Sequence, residues 1–375
     1  MNWSAQDHQY MALALQLAKK GQYTARPNPM VGCVIVKEEQ IIGQGWHESF
    51  GQAHAEINAL KQASDQAAEK VKGSTCYVTL EPCSHIGKTG ACAKALIEAG
   101  VSKVIAAMQD PNPQVSGKGF EILENAGIET RSGLLEQQAK ELNKGFISRF
   151  EKNKPWVTVK LAMSLDGRTA LADGSSKWVT GSAARLDVQK LRARQDAIIT
   201  GIGTLLADNP SLTVRGDGQQ DWFSELKNFN QPTRILLDRN GKAKLTHKVF
   251  NSDADVWWVK SKIEADEKTD NFSQYPHVEI IEETSLEHLI NQCANKGMNN
   301  LLVEAGHKLA GQFLQQQIVD ELIIYQAPKL MGNNAVGLFD LNVENMSECP
   351  ELILKDVRQF GDDMRLIYHP KNASE

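Results

Sequence analysis

The sequence predicts two α/β domains that meet near residue 150. Short apolar runs typical of β-strands alternate along the chain with segments whose apolar residues recur at helical spacing. Residues 149–155 are mostly charged and end in Pro155, and the alternation starts afresh after them without an internal repeat. We therefore expect two different domains, 1–150 and 151–375, each with a mostly parallel sheet covered by helices on both faces.

The first half begins with a predicted helix. Ser4 has the residue type of an N-cap, and apolar residues follow at helical spacing until Gly21. A polar turn at 37–40 joins the first two strands. The predicted elements after the first helix are strands 31–36 and 41–46, helix 54–63, strand 75–80, helix 92–98, strand 103–108, helix 120–125 and a strand around 128–130.

The second half repeats this alternation with a different pattern. Its polar stretch 216–231 is predicted to be a surface insertion. The predicted elements are strand 156–162, helix 183–194, strands 197–201, 234–238, 255–259 and 277–281, helix 286–296, strand 301–304, helix 308–316 and strand 321–327.

Composition excludes several classes of protein. The 375 residues are 41% hydrophobic and 23% charged, as in globular enzymes, and the net charge of -5 argues against a nucleic-acid-binding surface. No apolar run approaches the roughly 20 residues of a membrane helix, and the first residues lack the features of a secretory signal. Four of the six cysteines lie in the first hundred residues, which favours metal binding over a disulfide framework. A cytoplasmic enzyme is expected.

A zinc site is predicted in the first half. His54, Cys83 and Cys92 supply three ligands of a tetrahedral zinc and leave the fourth position for water, whose pKa zinc lowers to about 7. Glu56 is the candidate general base and acid, following the His-x-Glu and Pro-Cys pattern of zinc deaminases. Residues i and i+2 do not share a helix face, so the motif should begin a helix with the metal just beyond its end.

The individual parts of this pattern have ordinary explanations. A His-Ala-Glu triplet occurs by chance in many helices, and two cysteines can be buried thiols. The second cysteine also lies nine positions after the first, so a loop replaces the usual tight Cys-x-x-Cys turn. The combination in this order favours zinc. Asn28, His47 and His85 are weaker candidates for substrate contact, because a lone polar residue is more often structural.

The second half carries a weaker signal. Glycines follow predicted strands at Gly201 and Gly306, and Gly306 precedes a predicted helix whose N-terminus suits a phosphate. No G-x-G-x-x-G sequence is present, and ordinary turns explain the glycines equally well. These residues alone indicate either a phosphate- or nucleotide-binding domain or an unremarkable α/β domain.

The motifs of the first half resemble the deaminase half of the RibD family of bacterial riboflavin biosynthesis enzymes. The resemblance implies a cytidine-deaminase-like three-layer α/β/α fold. It also implies hydrolytic deamination of 2,5-diamino-6-(5-phosphoribosylamino)pyrimidin-4-one to its uracil analogue and ammonia. Lys88-Thr89-Gly90-Ala91 departs from the family's usual loop. The motifs are Arg26-Pro27-Asn28-Pro29, His54-Ala55-Glu56, Leu80-Glu81-Pro82-Cys83-Ser84-His85 and Asp110-Pro111-Asn112-Pro113.

The second half is similar to the reductase half of the same family, through Ser164-Leu165-Asp166-Gly167-Arg168, Ala207-Asp208-Asn209-Pro210, Val303-Glu304-Ala305-Gly306 and Ala327-Pro328-Lys329. The resemblance implies a dihydrofolate-reductase-like fold, NADPH-dependent reduction of the ribosyl group to ribityl, and a dimer or tetramer. The implied substrate residues are Lys160, Asp166, Ser176, Arg192, Leu212, Arg215 and Glu304. The implied cofactor residues are Ala162, Trp178, Thr204, Asp208, Arg239 and Gly306. Without the resemblance, Arg192 and Arg215 would be interpreted as surface salt-bridge partners.

Two other functions compete with this one. A tRNA-type nucleic-acid deaminase with an accessory domain shares the His-x-Glu and Pro-Cys elements, but the acidic composition and the long loop between the cysteines disfavour it. A non-catalytic protein with structural zinc would need a fourth protein ligand and would not depend on Glu56.

Overall fold

The computed structural model describes residues 2–84, 91–216, 222–251, 254–262 and 274–371, except for the side chains of 66–68. His85 and most of the departing loop, 88–90, lie outside the described residues. The chain divides into two compact units. The first is Met1–Asn153 with Leu226–Phe229, and the second is Lys154–Glu225 with Asn230–Glu375.

The first unit contains a five-stranded mixed sheet. Its strands are β1 (Gly32–Lys37), β2 (Gln40–Trp46), β3 (Thr75–Val78), β4 (Lys103–Ala106) and β5 (Glu129–Ser132). Its helices are α1 (Ala5–Ala18), α2 (Ala55–Val71), α3 (Cys92–Glu98), α4 (Lys118–Asn125), α5 (Glu136–Leu142) and α6 (Lys144–Lys152). The strand order is β2-β1-β3-β4-β5, with β1 antiparallel to both neighbours and β3, β4 and β5 parallel.

Strand β1 shows why helices cover both faces of this sheet. Its side chains alternate, so Cys33 and Ile35 pack with α2, α3 and α4, whereas Val34 and Val36 pack with α1, α5 and α6. Helix α2 lies directly on β2, where a Cβ atom on Gly45 would approach the carbonyl oxygen of Ala55 to 2.5 Å. The predicted three-layer arrangement is confirmed.

The second unit contains a nine-stranded sheet and a separate pair of short strands. Its strands are β6 (Trp156–Ser164), β7 (Arg168–Ala170), β8 (Ala197–Gly201), β9 (Thr233–Leu237), β10 (Val256–Lys260), β11 (Val278–Glu282), β12 (Asn300–Glu304), β13 (Glu321–Ala327), β14 (Val336–Gly337), β15 (Leu352–Phe360) and β16 (Asp363–Pro370). Its helices are α7 (Ser182–Ala193), α8 (Ile202–Asp208), α9 (Leu286–Asn295) and α10 (His307–Gln315). The order is β11-β10-β9-β8-β12-β6-β13-β16-β15, and β7 pairs separately with β14.

Helices cover both faces of this second sheet as well. Helices α9 and α10 pack on one face, against β6, β8, β12 and β13. Helix α8 packs on the other face, and α7 covers β13 there. The seven strands β11, β10, β9, β8, β12, β6 and β13 run parallel to one another, so their carboxyl ends lie at one edge of the sheet. That edge is where α/β sheets usually bind ligands.

Several features differ from the expectations, among them short elements such as α5 and α8 that were not predicted. The first sheet is only half parallel, because β1 and β2 form an antiparallel hairpin. The segment 149–155 is not a linker throughout, since α6 continues to Lys152. The antiparallel hairpin of β15 and β16 was not predicted and forms one edge of the second sheet.

Across the described residues, no helix combines the length and apolar character that crossing a membrane requires.

Candidate active sites

The three side chains predicted as zinc ligands converge in the first unit. His54 is the N-cap residue of α2, Cys92 is the first residue of α3, and Cys83 lies in the loop after β3. The Nδ1 atom of His54 lies 3.6 Å from Sγ of Cys83 and 3.3 Å from Sγ of Cys92. The His-x-Glu motif therefore begins a helix, as its spacing predicts.

The geometry and chemistry of this group fit zinc. All three ligand atoms lie within 4.8 Å of one another, and ligands of a tetrahedral zinc stand about 3.5 Å apart when metal–ligand bonds are about 2.0–2.3 Å. The amide N–H of Cys92 donates to Sγ of Cys83 at 3.3 Å, and the N-termini of α2 and α3 add positive potential. The shared hydrogen bond between the two thiols lowers the pKa of Cys83 and raises that of Cys92, so Cys83 is the first of the two to ionise.

Glu56 lies beside the ligands in the first turn of α2 and is only 3% exposed. Burial and, to a smaller extent, the negative charge of Cys83 raise the pKa of Glu56 to about 7. A carboxyl group that titrates near neutral pH can both accept a proton and return it. This is the property that the sequence assigned to Glu56.

Asn28 and His47 also lie at this site. The rings of His47 and His54 meet edge to face with their centroids 5.5 Å apart. Nδ1 of His47 contacts the carbonyl oxygen of Ala53 at 3.1 Å, so that nitrogen carries the proton. Nε2 of His47 then accepts from Nδ2 of Asn28 at 3.1 Å. Burial lowers the pKa of His47, which agrees with a neutral ring.

Sequence reasoning assigned no role to Glu81, which the structure places next to the Pro82-Cys83 loop. Its buried carboxylate accepts hydrogen bonds from the amides of Asp110 at 3.1 Å, Gly117 at 3.0 Å and Gly119 at 2.9 Å. These donors precede or begin α4. Glu81 therefore fastens the start of α4 to the zinc loop, and its place before Pro82-Cys83 was the only signal in the sequence.

A cavity of about 1500 Å³ opens in the second unit, at the carboxyl ends of β6, β8, β9 and β12. Nearly all the residues that the resemblance assigned to substrate or NADPH line it. They are Lys160, Ala162, Ser176, Trp178, Arg192, Thr204, Asp208, Leu212, Arg215, Arg239, Glu304 and Gly306. The structure thus brings twelve residues, spread over 147 positions of the chain, around one space.

Glu304 is the electrostatic centre of this cavity. Its carboxylate accepts two hydrogen bonds from Arg192, with Nη2 to Oε2 at 3.0 Å, and Nζ of Lys160 lies 3.7 Å from Oε2. Burial alone would raise the pKa of Glu304, but the charges of Arg192 and Lys160 hold it at about 2. The group is therefore a buried, ionised triad.

The two arginines predicted to bind phosphate differ in their surroundings. Arg192 is engaged by Glu304, so its interpretation as a surface salt-bridge partner is wrong: the pair is buried. Arg215 lines the cavity and donates from Nη1 to the hydroxyl of Ser211 at 3.4 Å. Burial lowers the pKa of Arg215, and the nearby charge of Arg192 lowers it further. An anion beside Arg215 would relieve that repulsion.

Asp166 is the one predicted residue of this half that is not among the residues lining the cavity. Its carboxylate accepts hydrogen bonds from the Ser164 hydroxyl and from the amides of Met331 and Gly332. The hydrogen bond from Ser164 is the main reason that the pKa of Asp166 falls to about 2. These hydrogen bonds hold the turn after β13 in place.

Several lining residues were not predicted as site residues. Residues 209–211 follow α8, residues 283–286 follow β11, and Lys308, Leu309 and Gln312 belong to α10. Residues 283–286 directly follow strand β11, and that position after a strand of a parallel sheet is the signal that could have identified them.

Comparison with known proteins finds a matching family model for each half of the chain. A family model of the cytidine and deoxycytidylate deaminase zinc-binding region matches residues 4–108, and a model of the RibD C-terminal domain matches residues 155–366. The riboflavin biosynthesis protein RibD of Haemophilus influenzae is 48% identical, with all of both chains covered. RibD of Escherichia coli is 44% identical over 96% of this chain and 98% of that protein.

Solved structures give the same result. Acinetobacter baumannii RibD superposes with a TM-score of 0.90 at 43% identity, covering 98% of this chain and 99% of that one. A diaminohydroxyphosphoribosylaminopyrimidine deaminase/5-amino-6-(5-phosphoribosylamino)uracil reductase from Thermotoga maritima superposes with a TM-score of 0.86 at 34% identity, with the same coverage.

Proposed function

The chain belongs to the RibD family, and from that premise we infer that it is a bifunctional deaminase and reductase of riboflavin biosynthesis. We assign the deaminase to residues 1–150 and the reductase to residues 151–375. The first would convert 2,5-diamino-6-(5-phosphoribosylamino)pyrimidin-4-one to 5-amino-6-(5-phosphoribosylamino)uracil, and the second would reduce the ribosyl group of that product. The observation that carries the proposal is the convergence of His54, Cys83 and Cys92 beside the buried carboxyl group of Glu56.

In the deaminase, His54, Cys83 and Cys92 would hold the zinc ion, which supplies Lewis acidity for activating water near neutral pH. Glu56 takes a proton during the attack and returns it to the leaving amine, a double role that suits a pKa of about 7. Asn28 and His47 orient the pyrimidine. The hydrogen bond from Asn28 to His47 keeps the His47 ring neutral and its plane fixed.

In the reductase, the size of the cavity supports binding of a dinucleotide and a sugar phosphate together, because drug-sized ligand pockets measure about 300–1000 Å³. NADPH supplies the reducing equivalents when bound. We propose that Ala162, Trp178, Thr204, Asp208, Arg239 and Gly306 hold it. The free amides at the N-terminus of α10, which begins after Gly306, are suited to a phosphate group of the dinucleotide.

The remaining residues of the cavity would hold the sugar phosphate. Arg215 can pair with its phosphate, together with Ser176 and the backbone near Leu212. Glu304 and Lys160 stand deeper, where the carboxylate can bind sugar hydroxyls and the ammonium group can donate to the sugar oxygen. Arg192 keeps Glu304 ionised and oriented.

Both competing functions are disfavoured. An accessory domain on a nucleic-acid deaminase does not explain why residues 155–366 match the RibD C-terminal domain. A structural zinc would use four protein ligands, and the candidate metal group found among the described residues has three.

We further propose that the protein is cytoplasmic, binds no nucleic acid and forms a homodimer or tetramer. The six cysteines are free thiols, as is usual in reducing compartments, and the net charge is -5. Strand β15 is an edge strand whose Leu354 and Val357 are 52% and 44% exposed, as an interface would require. Light scattering on the purified protein measures the oligomeric state, and a monomer would contradict that part.

The function is tested by giving purified protein the diaminopyrimidine substrate and following ammonia release and NADPH oxidation separately. We expect ammonia without NADPH, and oxidation of added NADPH after the ammonia. Ammonia release with no NADPH oxidation would contradict the reductase assignment, and activity on tRNA alone would contradict the deaminase assignment.

A further inference from the structure

A loop at one wall of the large cavity connects β7 to α7. Ser176, Trp178 and Thr180 from this loop line the cavity, yet the Trp178 side chain is 62% exposed. A side chain with so little packing does not hold its own position. The contacts that position this loop must therefore come from its backbone and from neighbouring side chains.

Lys329 makes one of these contacts. Its Nζ atom donates a hydrogen bond to the backbone carbonyl oxygen of Trp178 at 2.7 Å. Lys329 lies just after β13 and is not among the residues lining the cavity. Its backbone is fixed in turn, because its carbonyl oxygen accepts from the amide of Leu165 at 2.8 Å.

Asp166 fixes the turn that carries Lys329. The carboxylate accepts from the amide of Gly332 at 2.8 Å and from that of Met331 at 3.1 Å. The hydroxyl of Ser164, at the end of β6, donates to the same carboxylate. Asp166 thus connects the end of β6 to the turn after β13, which explains why it lies near the cavity without lining it.

Two other cations also take part in contacts of this loop. The guanidinium group of Arg185 lies 4.6 Å from the centroid of the Trp178 ring and donates to the carbonyl oxygen of Thr180 at 2.7 Å. Nζ of Lys177 lies 3.5 Å from Oδ1 of Asp208, another cavity residue. Arg185 belongs to α7, and Lys177 of the loop itself pairs with Asp208 of α8, whereas Lys329 contacts the loop from the turn after β13.

We infer that Lys329 is a positioning residue for the nicotinamide cofactor, acting through the backbone of Trp178, and that Asp166 sets the position of Lys329. This inference rests on the proposed function, because it takes Trp178 as a cofactor contact. The loop binds the cofactor well only when it is held at the cavity wall. Lys329 therefore affects cofactor affinity without touching the cofactor.

The test is direct titration of the full-length protein with NADPH, followed by nicotinamide fluorescence. Lys329→Met removes the donor and keeps the length of the side chain. One hydrogen bond corresponds to about a two- to tenfold change in affinity, and we expect Kd for NADPH to rise by that factor. Lys329→Arg keeps a donor and should restore Kd to within about twofold. Asp166→Asn should also raise Kd for NADPH.

A matched control is Lys371→Met. Nζ of Lys371 also makes one 2.7 Å bond, to Glu351, in the same unit but away from the cavity. We expect unchanged Kd in this variant, and unchanged ammonia release in every variant.

A second titration in a Trp178→Ala background separates positioning from direct contact. If Lys329 acts through Trp178, Lys329→Met should have little further effect there.

The outcomes are distinct. Unchanged NADPH affinity in Lys329→Met, or an equal loss of affinity with and without Trp178, would overturn the inference and leave the proposed function standing. Failure of the wild-type protein to bind NADPH would overturn the reductase assignment and the inference with it.

Discussion

Removing the negative charge of Glu304 tests the electrostatics of the reductase cavity. Glu304→Gln leaves the charges of Arg192 and Lys160 without their counter-ion in a buried site. Lowering a pKa from 4.5 to about 2 corresponds to about 3 kcal/mol of stabilisation of the ionised form. Breaking a buried ion pair by removing one partner typically lowers the free energy of unfolding by about 3–5 kcal/mol, so the two figures agree. The Glu304 side chain is 9% exposed, and screening by water reduces the effect little.

We expect Glu304→Gln to lower the free energy of unfolding of the second unit by about 3 kcal/mol. In urea, this lowers the unfolding midpoint by about 1 M or more. Tryptophan fluorescence reports mainly on this unit, because five of the seven tryptophans (Trp156, Trp178, Trp222, Trp257 and Trp258) follow residue 153. The midpoint is measured for both proteins at pH 7.

The pH dependence has a definite sign. The folded-state pKa of Glu304 is below its ordinary value of 4.5, so its stabilisation is fully present above pH 4.5. That stabilisation is lost as the pH falls from about 4.5 towards about 2. The difference between wild type and Glu304→Gln should therefore shrink over this interval and stay constant from pH 5 to 8.

Glu351→Gln is the control for this experiment. Glu351 also pairs with a cation, Lys371 at 2.7 Å, but its side chain is 69% exposed. Exposed ion pairs contribute little to stability because water screens them, so the midpoint should hardly move. The reasoning is wrong if Glu304→Gln and Glu351→Gln have the same effect.

Three further predictions concern the two sites. Cys92→Ser should lose bound zinc and ammonia release but keep NADPH oxidation with the deaminated substrate. Metal analysis and the two activity assays measure these properties. Full zinc content in the variant would contradict the prediction. Gly119→Ala should lower the free energy of unfolding by about 1–3 kcal/mol and weaken zinc binding, because the new Cβ would lie 2.0 Å from the carbonyl oxygen of Pro82. Thermal unfolding measures the first effect and chelator competition the second. Unchanged stability would contradict the packing. Arg215→Ala should raise KM of the reductase for its sugar phosphate more than it lowers kcat, and unchanged kinetics would show that Arg215 does not bind the phosphate.

The sequence predicted the strands and the zinc ligands for simple physical reasons. Buried strands such as β8 and β12 are continuous apolar runs bounded by polar residues. Zinc chemistry needs few residue types, and the His-x-Glu spacing requires a helix start, so His54, Glu56, Cys83 and Cys92 were identifiable without the fold. The N-cap role of Ser4 was equally local, and Ser4 and Asp7 form a capping box.

Other features depend on contacts between distant parts of the chain. The donors to Glu81 lie 29 to 38 positions away, and the amide donors to Asp166 lie 165 and 166 positions away. No local pattern reveals such bonds. The hairpin of β15 and β16 was missed because its side chains are mostly half-buried or exposed, which removes the usual alternation. Helix α6 was missed because its charged end reads like a linker.

The central claim is that one chain carries two independent sites that act in order on one molecule. The most direct test is Glu56→Gln, which removes the proton carrier of the first site and leaves its zinc ligands in place. The purified variant is given NADPH with either the diaminopyrimidine or the deaminated substrate, after its zinc content has been measured.

We predict full zinc content and a loss of ammonia release by about 100-fold or more. NADPH oxidation should remain normal with the deaminated substrate and be absent with the diaminopyrimidine. Normal ammonia release by Glu56→Gln would contradict the claim at the first site. Loss of NADPH oxidation with the deaminated substrate would contradict the independence of the two sites.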